Sequence, residues 1–194
     1  MRRRKRTPRI EVVGAACYLP LARFLAGDRE TALQEATRAE RLLSEITAPP
    51  GRAYLWGADG PIALARLHVA AGDPSRALEL VQPVLQAAVD AEWHEVVAGA
   101  ALAMGRAHAR LGHQAEAGEA LEMAVERAER FHIPGLAWRA HAALGTIGSP
   151  DVRSAHEARA RELIDVLAGS IEDGSIRRTF LDGATSALSE GGAG

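Results

Sequence analysis

Lysine is almost absent from this 194-residue sequence: of its 23 basic residues only Lys5 is a lysine, and it lies in the N-terminal tail. A Walker A loop needs a glycine-rich turn that ends in Lys-Ser or Lys-Thr, so no such phosphate-binding loop can exist here. A lysine for Schiff-base or kinase-type chemistry is equally missing from the predicted folded region. Any nucleotide chemistry must therefore belong to another module.

Cysteine and asparagine are also scarce. The single thiol, Cys17, allows no internal disulfide and no CxxC zinc site, and its apolar neighbours predict a buried small side chain. Asparagine is absent while arginine and alanine are abundant, which indicates a GC-rich, bacterial genome. His94 begins a His-Glu pattern, but Ala98 stands where a zinc protease needs its second histidine, and no Gly-x-Ser-x-Gly elbow occurs. We predict no enzyme, and no catalytic, cofactor or metal site.

Aromatic residues make up only 4% of the chain, whereas alanine occurs 40 times and the hydrophobic fraction is 47%. Alanine favours helices over strands, and its small side chain lets helices approach each other closely. No sustained alternation of apolar and polar residues indicates a strand. The composition therefore predicts an all-α fold with a core of small side chains.

The charge is unevenly distributed. The formal net charge is −2, but residues 1–9 carry six positive charges, so the remainder carries −8. We interpret residues 1–9 as a basic flexible tail, with nucleic-acid or anionic-lipid contact as the alternative. Glu11 and Arg23 interrupt the apolar stretch that follows, so a signal peptide fits poorly, and no run reaches the roughly 18 apolar residues of a membrane span. We expect a cytoplasmic protein without a membrane partner.

A glycine followed five residues later by an alanine recurs along the chain. The pairs are Gly27 and Ala32, Gly72 and Ala77, and Gly112 and Ala117. The spacing between successive glycines is nearly constant, and Gly148 marks a fourth, degenerate copy. Glycine commonly ends a helix in the left-handed conformation, and a period of about 40–45 residues predicts stacked helical hairpins.

Apolar residues at spacings of three and four on both sides of each turn predict antiparallel helical pairs. The predicted helices span residues 12–26, 29–46, 59–71, 74–89, 92–111, 114–131, 135–147 and 152–169, with a short last helix from 173 to about 181. Pro83 should kink its helix. Residues 10–183 are predicted to form one repeat domain with a connector at 47–60, and residues 184–194 a flexible C-terminal tail. Tyr54, Leu55 and Trp56 of the connector are expected to dock onto the helices.

These turns resemble the tetratricopeptide repeat (TPR), over about residues 12–169. Gly112 has Gly105 seven residues before it, and Ala117 and Ala124 five and twelve residues after it. The period is longer than the family's usual one, and His68 and His108 stand where the family prefers an aromatic residue. The resemblance implies an α-solenoid of about four hairpins whose first helices line a concave surface.

The C-terminal part carries a second resemblance. Residues 134–145, together with 158–160, 163–164 and 173–181, look like the last repeats of large bacterial regulators, namely LuxR/MalT-type ATP-dependent activators and related signalling ATPases. In those proteins an NTPase module precedes a helical-repeat sensor arm. The resemblance implies an arm that stands alone or is cut from a longer polypeptide, with the NTPase module encoded upstream and a role in signal transduction or transcription regulation.

Four arginines are candidates for partner binding. Arg66 and Arg106 occupy the same position in successive repeats, Arg110 lies one turn after Arg106, and Arg139 is another first-helix residue. The TPR resemblance places them on the concave surface. Guanidinium groups suit the carboxylates of an acidic peptide or of a C-terminus. The alternative is that they pair with nearby acidic residues or are solvated.

The remaining conspicuous residues have structural interpretations. Trp93 and Trp138 are expected to fill the space that alanines leave between helical pairs. His68 and His108 share a repeat position, which packing explains more simply than metal ligation. One helix carries a row of carboxylates that predicts a solvated face with Arg127 and Arg130 as local ion-pair partners. The row consists of Glu116, Glu119, Glu122, Glu126 and Glu129.

The sequence as a whole predicts a non-catalytic protein-protein interaction scaffold with a protein or peptide partner. Two alternatives remain. The first is a small-molecule-sensing arm of a regulator with a pocket on the concave surface. The second is nucleic-acid contact through the basic tail, which we do not expect as the main function.

Overall fold

The structure, a computed structural model, describes residues 10–46 and 58–191. These residues form nine helices and no strand, which confirms the predicted all-α fold. The helices are α1 (Ile10–Leu25), α2 (Arg29–Ile46), α3 (Asp59–Ala71), α4 (Pro74–Asp90), α5 (His94–Leu111), α6 (Gln114–Arg130), α7 (Pro134–Leu144), α8 (Pro150–Ser170) and α9 (Gly174–Gly191).

The helix bounds follow the predicted ones closely, because the turn signals are strong. Helices α2 and α3 begin and end at the predicted residues. Helix α7 ends at Leu144 rather than 147, since the N–H groups of Thr146 and Ile147 bond to carbonyls three residues back and tighten the chain. Helix α4 continues through Pro83, which is exposed.

The four turn glycines all adopt the left-handed backbone conformation. Their φ angles are 94°, 88°, 78° and 84° for Gly27, Gly72, Gly112 and Gly148. At the first three, the residue after the glycine donates its N–H to the carbonyl five residues earlier, which is a Schellman turn. These turns confirm the predicted ends of α1, α3 and α5.

Two further turns have the same bond but no glycine. Glu92 and His132, which lie in the middle of the loops after α4 and α6, have φ angles of 53° and 54°. The next residues, Trp93 and Ile133, donate N–H bonds of 2.9 and 2.8 Å to the carbonyls five residues earlier. The left-handed conformation is costly for residues with a side chain, so these positions carry local strain.

The described helices fall into two compact units, one up to Val96 and one from Val97 onward. In the first unit α1 packs against α2 and α3, and α3 packs against α4. Its core combines larger aliphatic side chains, such as Leu64 and Leu67, with fully buried alanines of α2. Cys17 is completely buried there, as predicted, and a Cβ atom on Gly60 would lie only 3.1 Å from its Sγ atom.

The second unit contains α6 to α9 and α5 from Val97 onward. Trp138 is only 4% exposed, which confirms its predicted core position, whereas Trp93 in the first unit is half-buried. The Trp138 ring packs edge-on against Phe180 of α9 at 6.4 Å between centroids. Helices α5 and α6 lie so close that a Cβ atom on Gly105 would be 2.6 Å from Cγ of Leu121.

The C-terminal prediction needs correction. Residues 184–194 were expected to be a flexible tail, but α9 continues to Gly191 and buries Ala184 in the core around Trp138. Leu181, Ala187 and Leu188 also pack against this core, and their helical spacing explains the extension.

Some predictions concern other parts of the chain. The basic tail at 1–9 and the connector residues 47–57, with Tyr54, Leu55 and Trp56, lie outside the described residues. Within the described ranges no helix combines the length and the apolar character needed to cross a membrane.

Candidate functional site

Two of the four predicted arginines lie side by side in the second unit. Arg106 of α5 donates from Nη2 to the main-chain carbonyl of Arg139 on α7, at 3.5 Å. Arg139 donates from Nη1 to the carbonyl of Gly135 at 3.0 Å, and its guanidinium lies 5.0 Å from the centre of the Trp138 ring. These contacts bring the side chain of Arg106 to the backbone of Arg139 and fix the Arg139 guanidinium beside its own helix. Both side chains are half-buried.

The other two arginines have different surroundings. Arg110 is exposed and lies about one helical turn after Arg106 on α5. We call Arg106, Arg110 and Arg139 the arginine surface. Arg66 is a half-buried residue of α3 in the first unit. Burial and Asp59 raise the pKa of the nearby Tyr18 phenol, and the positive charge of Arg66 partly offsets that rise.

A largely shielded carboxylate joins three helices of the first unit. Glu40 of α2 accepts on Oε2 from Nε of Arg76 on α4 at 3.0 Å, and its Oε1 lies 2.7 Å from Nε2 of His68 on α3. Arg76 also pairs with Glu79, three residues later on the same helix. We call this Glu-His-Arg-Glu set the first bridge. The side chains of Glu40 and His68 are 15% and 12% exposed, so water screens their interaction little.

The second unit repeats the arrangement on α6, α7 and α8. Oε1 of Glu129 lies 3.3 Å from Nε2 of His141 and accepts from Nε of Arg159 at 3.1 Å. Arg159 also pairs with Glu162, again three residues later, at 2.7 Å. We call this set the second bridge. Here the histidine side chain is 7% exposed and the carboxylate 40%.

A second imidazole contacts the second bridge. Nδ1 of His156 on α8 lies 2.8 Å from Nδ1 of His141, with the ring centres 5.0 Å apart. Burial lowers the pKa of His141, and the nearby positive groups add to this, although Glu129 opposes it. Burial acts to raise the pKa of Glu129, but the hydrogen bonds from His141 and Arg159 outweigh it, so the pKa is lowered and the carboxylate is ionised at neutral pH.

Sequence reasoning missed both bridges, although a signal was present. His68 and His141 each stand four residues before a glycine, and the two arginines begin the same Arg-Ala-x-Glu pattern, at 76–79 and 159–162. The alanine of each pattern is fully buried. The arginine next to it reaches the carboxylate of the preceding helical pair. The middle copy has Glu116 in place of the arginine, and there His108 contacts His113, with 3.4 Å between their Nδ1 atoms.

The predicted carboxylate row on α6 is only partly a solvated face. Glu126 makes the expected local ion pairs with Arg127 at 2.9 Å and Arg130 at 3.5 Å. Glu129 differs, because it reaches across to α7 and α8 in the second bridge. A helical spacing shows which residues share a face of one helix, but it does not show which helix packs beside that face.

The Cys17 thiol is poorly suited to act as a nucleophile. Burial raises the pKa of the Cys17 thiol to about 11, with a further contribution from Glu40, so little thiolate exists at neutral pH. In the described part of the chain, no three His, Cys, Asp or Glu residues are grouped so that they could hold a metal ion. The bridges instead tie neighbouring helices together with charge-assisted hydrogen bonds.

Comparison with known proteins identifies no family: no family model matches the sequence, and no curated protein or solved structure matches the chain significantly.

Proposed function

We propose that this chain is a non-catalytic protein-protein interaction scaffold built as a TPR-like α-solenoid of about four helical hairpins. Several features support the proposal. Glycine turns with the same hydrogen bond end α1, α3 and α5, and these glycines recur at a nearly constant spacing. Helix α3 packs on both α1 and α4, as expected when successive hairpins stack. Small residues at the contacts between helices permit that close stacking.

The binding site on this proposal is the arginine surface, and its ligand is a short acidic peptide segment or a free C-terminal carboxylate. One observation carries this assignment: the guanidinium of Arg106 on α5 reaches the main-chain carbonyl of Arg139 on α7, so two helices contribute arginines to the same part of the second unit. The planar guanidinium donates two parallel hydrogen bonds to a carboxylate, so adjacent arginines favour an acidic segment over a single charge. The cation-π contact with Trp138 positions Arg139 before a ligand arrives.

The biological setting proposed here follows from the sequence resemblance. We place the chain with the helical-repeat arms of bacterial LuxR/MalT-type regulators, in the cytoplasm, where partner binding would control signalling or transcription. An NTPase module on another polypeptide, or on another part of a longer one, would supply the ATP-dependent step. The single lysine of this chain agrees with that division of labour.

The binding test uses fluorescein-labelled peptides of five acidic residues, with a free or an amidated C-terminus, titrated with the full chain. We expect Arg106→Gln combined with Arg139→Gln to weaken binding by about tenfold or more, because each lost charge-assisted hydrogen bond is worth roughly 1.5–3 kcal/mol. The matched control is Arg130→Gln combined with Arg161→Gln, which removes two exposed arginines from α6 and α8.

The outcomes separate the possible explanations. Loss of affinity in the first double variant but not in the control, at an unchanged melting temperature, supports the arginine surface. Equal affinity in both double variants would show that attraction to peptides is nonspecific. The single variant Arg66→Gln tests whether the first unit contributes, since Arg66 shares its repeat position with Arg106.

A further inference from the structure

The hydrogen bonds around His141 define where its proton sits. Glu129 is an ionised carboxylate that can only accept, so Nε2 of His141 must carry the hydrogen that points towards it. In the neutral ring Nδ1 is then bare and accepts from the Nδ1–H of His156, 2.8 Å away. The result is a directed chain of hydrogen bonds from His156 through His141 to Glu129.

This series of hydrogen bonds can bind one additional proton without losing any of its hydrogen bonds. A proton added at Nε2 of His156 leaves its Nδ1–H donating to His141. A second proton would have to enter at Nδ1 of His141, where two N–H groups would then face each other across 2.8 Å. Two imidazolium rings would also lie with their centres 5.0 Å apart, one of them buried. Both effects oppose the doubly protonated state.

Among the described residues, no acidic group other than Glu129 acts on His141 to offset that second positive charge. From α6 it faces Glu129, and from α8 it faces His156 and Arg159, whose positive charge adds to the repulsion. Glu157 of α8 lies against Gly145 and pairs with Arg161. From α5, Arg106 reaches α7 at Arg139, and α9 faces α7 with the Phe180 ring.

We propose that His141 and His156 form a pH-sensitive latch between α7 and α8, which holds with one shared proton and opens when both rings are protonated. In the first bridge His68 contacts the Glu40 carboxylate, and no second imidazole is among its described contacts. The latch is therefore a property of the second unit, and it does not depend on the proposed peptide binding.

The direction of the pH effect follows from proton linkage. An unfolded chain protonates each histidine near pH 6.5, whereas His141 in the folded unit has a lowered pKa because of its burial and nearby positive charges. Its contribution to stability is therefore fully present above pH 6.5 and is lost as the pH falls below that value. Acid thus loosens the contact of α7 with α8.

The test is a titration of the ¹⁵N-labelled full chain from pH 8 to 4.5, followed by NMR of the imidazole nitrogens and of the amides in α7 and α8. His141→Gln and His156→Gln serve to assign the ring signals. We expect a neutral His141 with hydrogen on Nε2 at pH 7. We further expect the α7 and α8 amide signals to change together when the second proton binds.

One variant separates the latch from simple burial of a histidine. In His156→Gln the side-chain amide can turn either its N–H or its carbonyl oxygen towards Nδ1, so His141 can be protonated with its bonds intact. We expect the acid transition of the second unit to move to lower pH by about half a unit or more. His113→Gln, in the more exposed His108–His113 pair, should leave that transition unchanged.

Two results would overturn the proposal. One is a wild-type titration in which both rings become charged while the α7 and α8 amides stay unchanged. The other is hydrogen on Nδ1 of His141 at pH 7, which would contradict the assigned direction of the hydrogen bonds from His156 through His141 to Glu129. Because both are read from the wild-type protein, a variant that fails to fold does not remove the test.

Discussion

The two units contain the same bridge but shield its carboxylate differently. In the first bridge both partners are shielded, with Glu40 at 15% and His68 at 12% exposure, whereas in the second the imidazole of His141 is 7% exposed and the carboxylate of Glu129 is 40% exposed. A buried carboxylate is costly to leave without its cationic partners, whereas a buried imidazole is costly to protonate. The first unit therefore depends more strongly on the ion pairs of its carboxylate, whereas the second unit holds a buried imidazole beside a more exposed carboxylate.

The largest expected effect concerns the aromatic core of the second unit. Trp138→Ala should lower the free energy of unfolding by about 3–5 kcal/mol, because the ring fills the space between α7, α8 and α9. Trp138→Phe is the matched control: it keeps most of the ring and removes an indole N–H that has no hydrogen-bond partner among the described residues. Urea denaturation measures both. A midpoint unmoved by the alanine change would refute the core assignment.

The next largest effect is the loss of stability when either bridge carboxylate is replaced. Glu40→Gln should cost about 2–3 kcal/mol and Glu129→Gln about 1 kcal/mol, since the amide mispairs with histidine and arginine and water compensates only the more exposed site. Both free energies of unfolding come from urea denaturation of the full chain. Equal costs would show that burial does not control the strength of the bridges.

Cys17 provides a reporter that is confined to the first unit. It is the only cysteine in the sequence, it is fully buried, and its pKa is raised to about 11, so alkylation requires the unit to open. We expect Glu40→Gln to speed alkylation of Cys17 more than Glu129→Gln does. The same rate in both variants would mean that the two units unfold as one.

The smallest effect concerns the two strained turns, one in each unit. Glu92→Gly and His132→Gly should each stabilise the protein by about 0.5–1 kcal/mol, because glycine adopts a positive φ without strain. Gly112→Ala should destabilise it for the converse reason. Denaturation midpoints of the three variants test this. A loss of stability in both glycine variants would show that their side-chain contacts outweigh the backbone strain.

Much of the fold could be predicted from the sequence, because its signals are local. A glycine after an apolar helical stripe marks a helix end, and this placed the ends of α1, α3 and α5 within about one residue. The turns at Glu92 and His132 lack that signal, since neither residue type demands a left-handed backbone. Helix α9 was predicted too short, because its last apolar residues lie beyond Gly183.

The site was only partly predictable, since it depends on contacts between helices. The shared repeat position made Arg106 a candidate, and the structure brings its guanidinium to the main-chain carbonyl of Arg139. Glu129 looked like one more surface carboxylate, because nothing in α6 reveals that His141 and Arg159 pack beside it. The Arg-Ala-x-Glu pattern becomes informative only once its buried alanine is known to face the preceding hairpin.

The most direct test of the central claim, that the second unit presents an arginine surface for an acidic segment, is the peptide titration at two salt concentrations. We expect saturable binding that weakens with salt and falls about tenfold or more in Arg106→Gln combined with Arg139→Gln, with unchanged thermal stability. Affinity equal to wild type in that double variant would contradict the claim.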